Sequence, residues 1–100
     1  MKYVSNAFSL QMVDNYYADY DLTVQTVTKA IFDKMAKEAK SIIGHEDFAN
    51  LLGLTFNRES VTLKKGDVLY VAQLTGGRLP EGTTTLPPDF SIKYLVVEIL

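Results

Sequence analysis

One histidine stands in the stretch Ser41-Ile42-Ile43-Gly44-His45-Glu46-Asp47. With no cysteine in the chain, it is the only side chain whose ordinary titration lies near neutrality, so proton transfer at pH 7 would fall to His45 first. A solitary histidine is also commonly a hydrogen-bonded structural or surface residue, and its type alone does not separate the two roles. The two arginines, Arg58 and Arg78, offer planar forks suited to phosphate, whereas every other basic side chain is a lysine. Arg78 belongs to Gln73-Leu74-Thr75-Gly76-Gly77-Arg78-Leu79-Pro80-Glu81-Gly82. There a polar Gln73 ends an apolar run, Gly76 and Gly77 permit close approach of backbone to a ligand, and Glu81 is placed to hold the arginine. The same residues also describe a surface loop with turn glycines and a local ion pair. The stretch is not a Walker loop, because the Gly-Lys-Ser/Thr ending is absent. Asn57-Arg58 sets a basic residue between an apolar segment and a strand. Asn6 and Ser9 follow the first apolar stretch and suit either helix caps or hydrogen bonds to a ligand.

Composition narrows the classes. One hundred residues make a single domain, long enough to bury about two thirds of its unfolded surface. A hydrophobic fraction of 47% and a charged fraction of 22% are those of an ordinary globular protein. The absence of cysteine excludes a disulfide framework and thiolate zinc sites and suits a reducing cytoplasm, and one histidine cannot form a histidine metal cluster. No segment has the length and apolarity of a membrane span, and the N-terminus lacks the basic and apolar regions of a signal peptide. A net charge of −2 argues against a protein that coats DNA or RNA, yet leaves room for a small polyanion in a local pocket.

These residues need elements to position them. Tyr3-Val4 opens a first strand, Tyr16 to Tyr20 reads as a loop, and Asp21-Leu22-Thr23-Val24 as a short edge strand. From Thr26 to Lys40 the pattern turns helical, with Val27, Ile31, Met35 and Ala39 on one face and Phe32 in the core; Lys29, Lys34, Lys37 and Lys40 lie mostly on a solvated face. A second helix is expected over Glu46–Leu52, with Phe48, Leu51 and Leu52 buried and Gly53 as its stop. His45 then sits at that helix's mouth. Ser60 to Leu63, the turn Lys64-Lys65-Gly66 and Asp67 to Leu74 read as a β-hairpin whose second strand is central. Ile92 to Ile99 is a further strand. Thr75 to Pro88 remains as a long loop, a class that is often functional.

Taken together, Asn6-Ala7-Phe8-Ser9, Ile43-Gly44-His45, Asn57-Arg58, and Gln73 with Arg78-Leu79-Pro80-Glu81-Gly82 resemble the viral ring nucleases. These are small type III anti-CRISPR proteins of archaeal viruses, bacteriophages and mobile elements, and the motifs keep their order over nearly the whole chain. The resemblance implies an α/β domain with a mixed sheet of about five strands flanked by helices, forming a two-fold homodimer. It implies a ligand, cyclic tetra-adenylate, bound across the dimer, and no cofactor, metal, DNA or membrane partner. It implies action in the cytoplasm, that of the host cell if the protein is viral.

The implied reaction needs no metal. A ribose 2′-hydroxyl attacks the adjacent phosphate, a histidine protonates the departing 5′ oxygen, and linear di-adenylates with 2′,3′-cyclic phosphates result. The histidine role falls on His45. Arg78 matches the loop arginine that holds phosphate, with Glu81 orienting it or the reacting geometry. Arg58, Gln73, Asn6 and Ser9 match pocket positions, Gln11 stands where some relatives carry Asn, and Gly76-Gly77 matches part of the family. The loop from Thr75 to Pro88 is then a candidate lid. Two other readings stay open: a module that sequesters the cyclic nucleotide uncut, and an interaction protein of a virus or mobile element with no nucleotide ligand.

Overall fold

A computed structural model of the chain describes residues 1–13 and 21–100. The loop expected over Tyr16 to Tyr20 lies outside the described residues. Five strands, β1 (Lys2–Ser5), β2 (Leu22–Val27), β3 (Lys40–Ser41), β4 (Val68–Thr75) and β5 (Ser91–Ile99), form one sheet in the order β2-β5-β4-β1-β3. The pairs β1–β4 and β1–β3 are parallel, while β4–β5 and β2–β5 are antiparallel. The sheet is therefore mixed, and β4 is its central strand. Tyr70, Val71 and Ala72 are buried on successive positions of β4, so both of its faces are covered.

Two helices, α1 (Lys29–Ala36) and α2 (Glu46–Leu52), share a core with one face of the sheet. Helix α1 begins at Thr28, whose hydroxyl accepts from the Ile31 N–H, and an exposed Lys29–Asp33 pair braces its first turn. It is shorter than the expected 26–40, because Val27 pairs with Tyr94 in β2. Its buried side chains are Phe32 and Ala36, and the Phe32 ring lies 4.9 Å from that of Tyr94. Met35 and Ala39 pack beside them, but Ile31 is 46% exposed. The expected face thus turns by one position, because the bulk of Phe32 claims the core. Helix α2 has the expected bounds and ends at Gly53, which adopts a left-handed φ of 70° and donates to Ala49 O and Asn50 O. Phe48 and Ala49 are its buried residues; Leu51 and Leu52 are half-buried.

The opposite face carries a second core of Tyr3, Val13, Ile42, Leu63, Leu69, Val71, Val97 and Ile99. Here the expected hairpin fails. Residues 60–63 form no strand, and Leu63 makes only an isolated parallel bridge with Val13. Both edges of β4 are already taken, by β1 and β5, so residues 60–63 have no ladder to join and cover the sheet face instead. The turn after them is closed by Asp67, whose carboxylate accepts from the Lys64 N–H at 2.9 Å while its own N–H donates to Lys64 O.

Candidate functional site

The parallel strands β1, β3 and β4 all end at one edge of the molecule, where the chain exits into Asn6, into Ile42-Ile43-Gly44 and into the glycine loop. Crevices outside such carboxyl ends are where open α/β sheets take ligands. Beyond β1, the buried Ser5 hydroxyl accepts from the Ala7 N–H and turns the chain at Asn6. Beyond β3, Ile42 N–H donates to Val4 O at 2.8 Å, keeping the path to His45 alongside β1. Beyond β4, the chain passes from Thr75 into the loop of residues 76–90.

These three exits enclose a cavity of about 100 Å³ lined by Asn6, His45, Phe48, Leu74, Arg78 and Leu79. The structure thus brings together Asn6, His45 and Arg78, which lie far apart in sequence. Phe48, Leu74 and Leu79 form its apolar wall. His45 is the N-cap of α2, and its Nδ1 accepts from the Phe48 N–H at 3.2 Å. Nδ1 can accept only when it carries no proton, so the neutral ring bears its hydrogen on Nε2.

The other expected residues fall around this cavity. Arg58 holds the chain just before the histidine: its Nε and Nη2 donate to Gly44 O at 3.4 and 3.3 Å, and its guanidinium lies 5.8 Å from the centre of the Phe56 ring. Ser9 and Gln11 line a neighbouring groove of about 390 Å³ together with Ser5, Glu59 and Thr62. Ser9 occupies the cap position of the 3₁₀ turn Leu10–Met12, but its side chain makes no capping bond. Gln73 is exposed, and alternation along β4 puts it on the face opposite Leu74, away from the His45 cavity. Glu59 borders the groove, and hydrogen bonds from Lys40 and Asn57 hold its carboxyl below the usual glutamate range.

The loop differs from expectation in two ways. Among the described residues no ion pair joins Arg78 to Glu81. Leu79 between them is buried, and Glu81 lies on the exposed turn that Thr83 closes onto Pro80 O. Gly76 is required by the chain itself: a Cβ there would meet Asp89 O at 2.7 Å and Phe90 Cα at 3.0 Å, at a φ of 113°. Gly77, with φ 116°, has open space around its Cα. Asp47, in the first turn of α2, accepts from the Gly82 N–H at 3.0 Å and fastens the loop to that helix. Its place two residues after His45 was the only signal of that role.

A wider groove of about 570 Å³ runs past Lys37, Lys40, Ser41, Thr55, Phe56 and Asn57, and His45 is not part of its lining. Lys40 there is already paired with Glu59, so volume alone does not make it the better candidate. Among the described residues no group of three or more His, Cys, Asp or Glu could hold a metal ion, and no helix is long and apolar enough to cross a membrane.

The fold is similar to that of B116 of Sulfolobus turreted icosahedral virus, with a TM-score of 0.81 and 21% identity over 97% of each chain. No curated protein matches the chain in sequence. The sequence model of a family described as STIV B116-like matches residues 2–92. Spanned almost end to end by that match, the chain belongs to the STIV B116-like family, named for a viral protein.

Proposed function

We propose that the protein is a metal-independent ring nuclease that opens cyclic tetra-adenylate and so antagonises type III CRISPR signalling in a host cell's cytoplasm. The observation that carries this reading is the shared cavity of His45, Arg78 and Asn6. A proton donor, a phosphate-binding fork and a neutral amide are the groups needed to hold a phosphodiester and protonate its leaving oxygen.

Volume supports a half-site. A cavity of about 100 Å³ is far smaller than the roughly 300–1,000 Å³ of sites that enclose a drug-sized ligand, and the tetranucleotide ring is larger still. A two-fold homodimer brings two such cavities to one ring, with one His45 and one Arg78 at each of two opposite phosphodiesters. Local positive potential then arises on an acidic chain.

In the reaction, the 2′ oxygen forms a bond to phosphorus and loses its proton to water. The bond from phosphorus to the 5′ oxygen breaks, and His45 gives that oxygen a proton. As an acid the ring must hold protons on both nitrogens, and Nδ1 can then no longer accept from Phe48 N–H. The reacting imidazolium turns off the helix cap, with the substrate phosphate as its new partner. Ser9 and Gln11 lie outside the cavity, in the neighbouring groove, where they serve the bases and riboses of a ligand that spans the site; Gln73, on the opposite face, takes no part.

A second reading keeps the ligand and drops the chemistry. With Nδ1 used as a cap, His45 has a sufficient structural purpose, which suits a module that sequesters the cyclic nucleotide. Incubation with the ring in EDTA, followed by chromatography, separates the two. Linear products with cyclic phosphate ends support the nuclease, while tight binding by calorimetry with an intact ring selects the sequestering module. His45→Asn is the sharp variant, since asparagine also caps helices but donates no such proton. Cleavage by His45→Asn at the parent rate would sink the general-acid role; a loss of about 10²- to 10⁴-fold is expected.

A further inference from the structure

The loop that carries Arg78 is rich in glycine, yet it is tied down at three points. At its base, Gly76 lies against Asp89 and Phe90 with no room for a Cβ. Next, Leu79 is buried in the same core cluster as Phe48. Beyond it, the turn from Pro80 to Thr83 reaches helix α2, where Gly82 N–H donates to Asp47 Oδ2. Asp47 is half-buried and makes no ion pair among the described residues; its carboxylate accepts from Gly82 N–H, across 35 positions of sequence.

Resting on the ring-nuclease reading, we infer that Asp47 is a positioning residue that fixes the Arg78 loop in register with His45. Asp47 and His45 belong to the same first turn of α2, so one rigid element fixes the acid directly and the phosphate-binding loop through Gly82. Leu79 prevents the loop from lifting, and the Asp47 bond prevents the exposed turn beyond it from sliding along the helix. A carboxylate would repel a substrate phosphate, which argues against direct ligand contact. Its negative charge is instead occupied by a backbone amide that has no ladder partner. The role needs an acceptor oxygen at this position and does not need the charge.

Single-turnover cleavage by Asp47→Ala, Asp47→Asn, Arg78→Ala and the double variant Asp47→Ala/Arg78→Ala tests this. Asp47→Ala is expected to slow the cleavage step about tenfold with a small change in affinity, and Asp47→Asn, which keeps an acceptor oxygen, to recover to within about threefold of the parent. In the Arg78→Ala background, Asp47→Ala should cost less than about twofold, because the two act through one loop. Equal damage from Asp47→Asn and Asp47→Ala, or losses that multiply in the double variant, would overturn the inference. Amide hydrogen exchange is read in parallel and needs no activity. Gly82 should exchange at least about tenfold faster in Asp47→Ala while Ala49, bonded to His45 O, stays protected; an unchanged Gly82 rate overturns the tether. If the parent leaves the ring uncut, the nuclease reading falls and the exchange result alone decides whether Asp47 holds the loop. Should Asp47→Ala fail to fold, Asp47→Ser takes its place in both measurements.

Discussion

His45 and Phe48 are joined by a hydrogen bond in which the histidine Nδ1 accepts from the phenylalanine backbone N–H at 3.2 Å. The imidazole therefore completes a helix end as well as facing the cavity. His45→Ala should lower unfolding free energy by about 1 kcal/mol, the usual cost of losing a cap, while His45→Asn should leave it nearly unchanged. Denaturant titration of both variants checks this, and equal stabilities would show that the cap contributes nothing.

Arg78 is the one guanidinium in the cavity, since that of Arg58 is engaged with Gly44 O. Arg78→Ala should weaken cyclic tetra-adenylate binding about 10- to 100-fold, in keeping with a hydrogen bond to a charged group of about 1.5–3 kcal/mol. Arg78→Lys should recover only part of that, because a point charge cannot reproduce the planar fork. Isothermal calorimetry at two salt concentrations measures both effects, and the parent should show the steeper salt dependence.

The glycine pair should divide on substitution. Both residues have positive φ, but only Gly76 faces a backbone oxygen 2.7 Å from a Cβ. Gly77→Ala should cost about 1–2 kcal/mol for its backbone conformation alone. Gly76→Ala should cost more, as the β4–β5 connection must open to relieve the collision. Thermal melts of the two variants test the order.

Neighbouring residues of α1 should behave oppositely. Phe32 is 1% exposed and packs on Tyr94, so Phe32→Ala should destabilise by about 3–5 kcal/mol. Ile31, at 46% exposure, should tolerate Ile31→Ala within about 0.5 kcal/mol. Comparable losses at the two sites would mean that the helix packs in another rotation.

Acid should loosen the margin of the groove beside the site. Lys40 and Asn57 hold Glu59 below its ordinary titration range. Its stabilising contribution is therefore complete above the unfolded-state value and is lost as pH falls through the lower folded value. Carbon-detected NMR titration should show Glu59 among the last glutamates to protonate. Lys40→Ala should move it back towards the ordinary range.

What the sequence determined by itself was local. Helix α2 kept its expected bounds because its cap, its apolar spacing and the left-handed Gly53 all act within a few residues of one another. β1, β4 and β5 were legible for the same reason, as was the glycine loop between the last two. Tertiary structure decided the rest through competition and distance. β4 pairs with β1 and β5 rather than with residues 60–63, because a strand has only two edges and both were filled. Ile31 yields the core to Phe32, and Gln73 faces away from the histidine, because the sheet sets which side of each element is covered. Asn6, His45 and Arg78 meet because three parallel strands end together, and Asp47 reaches Gly82 across 35 positions. Capping and periodicity are written into neighbouring residues, whereas strand partners and cavity walls are settled by contacts between residues distant in the chain.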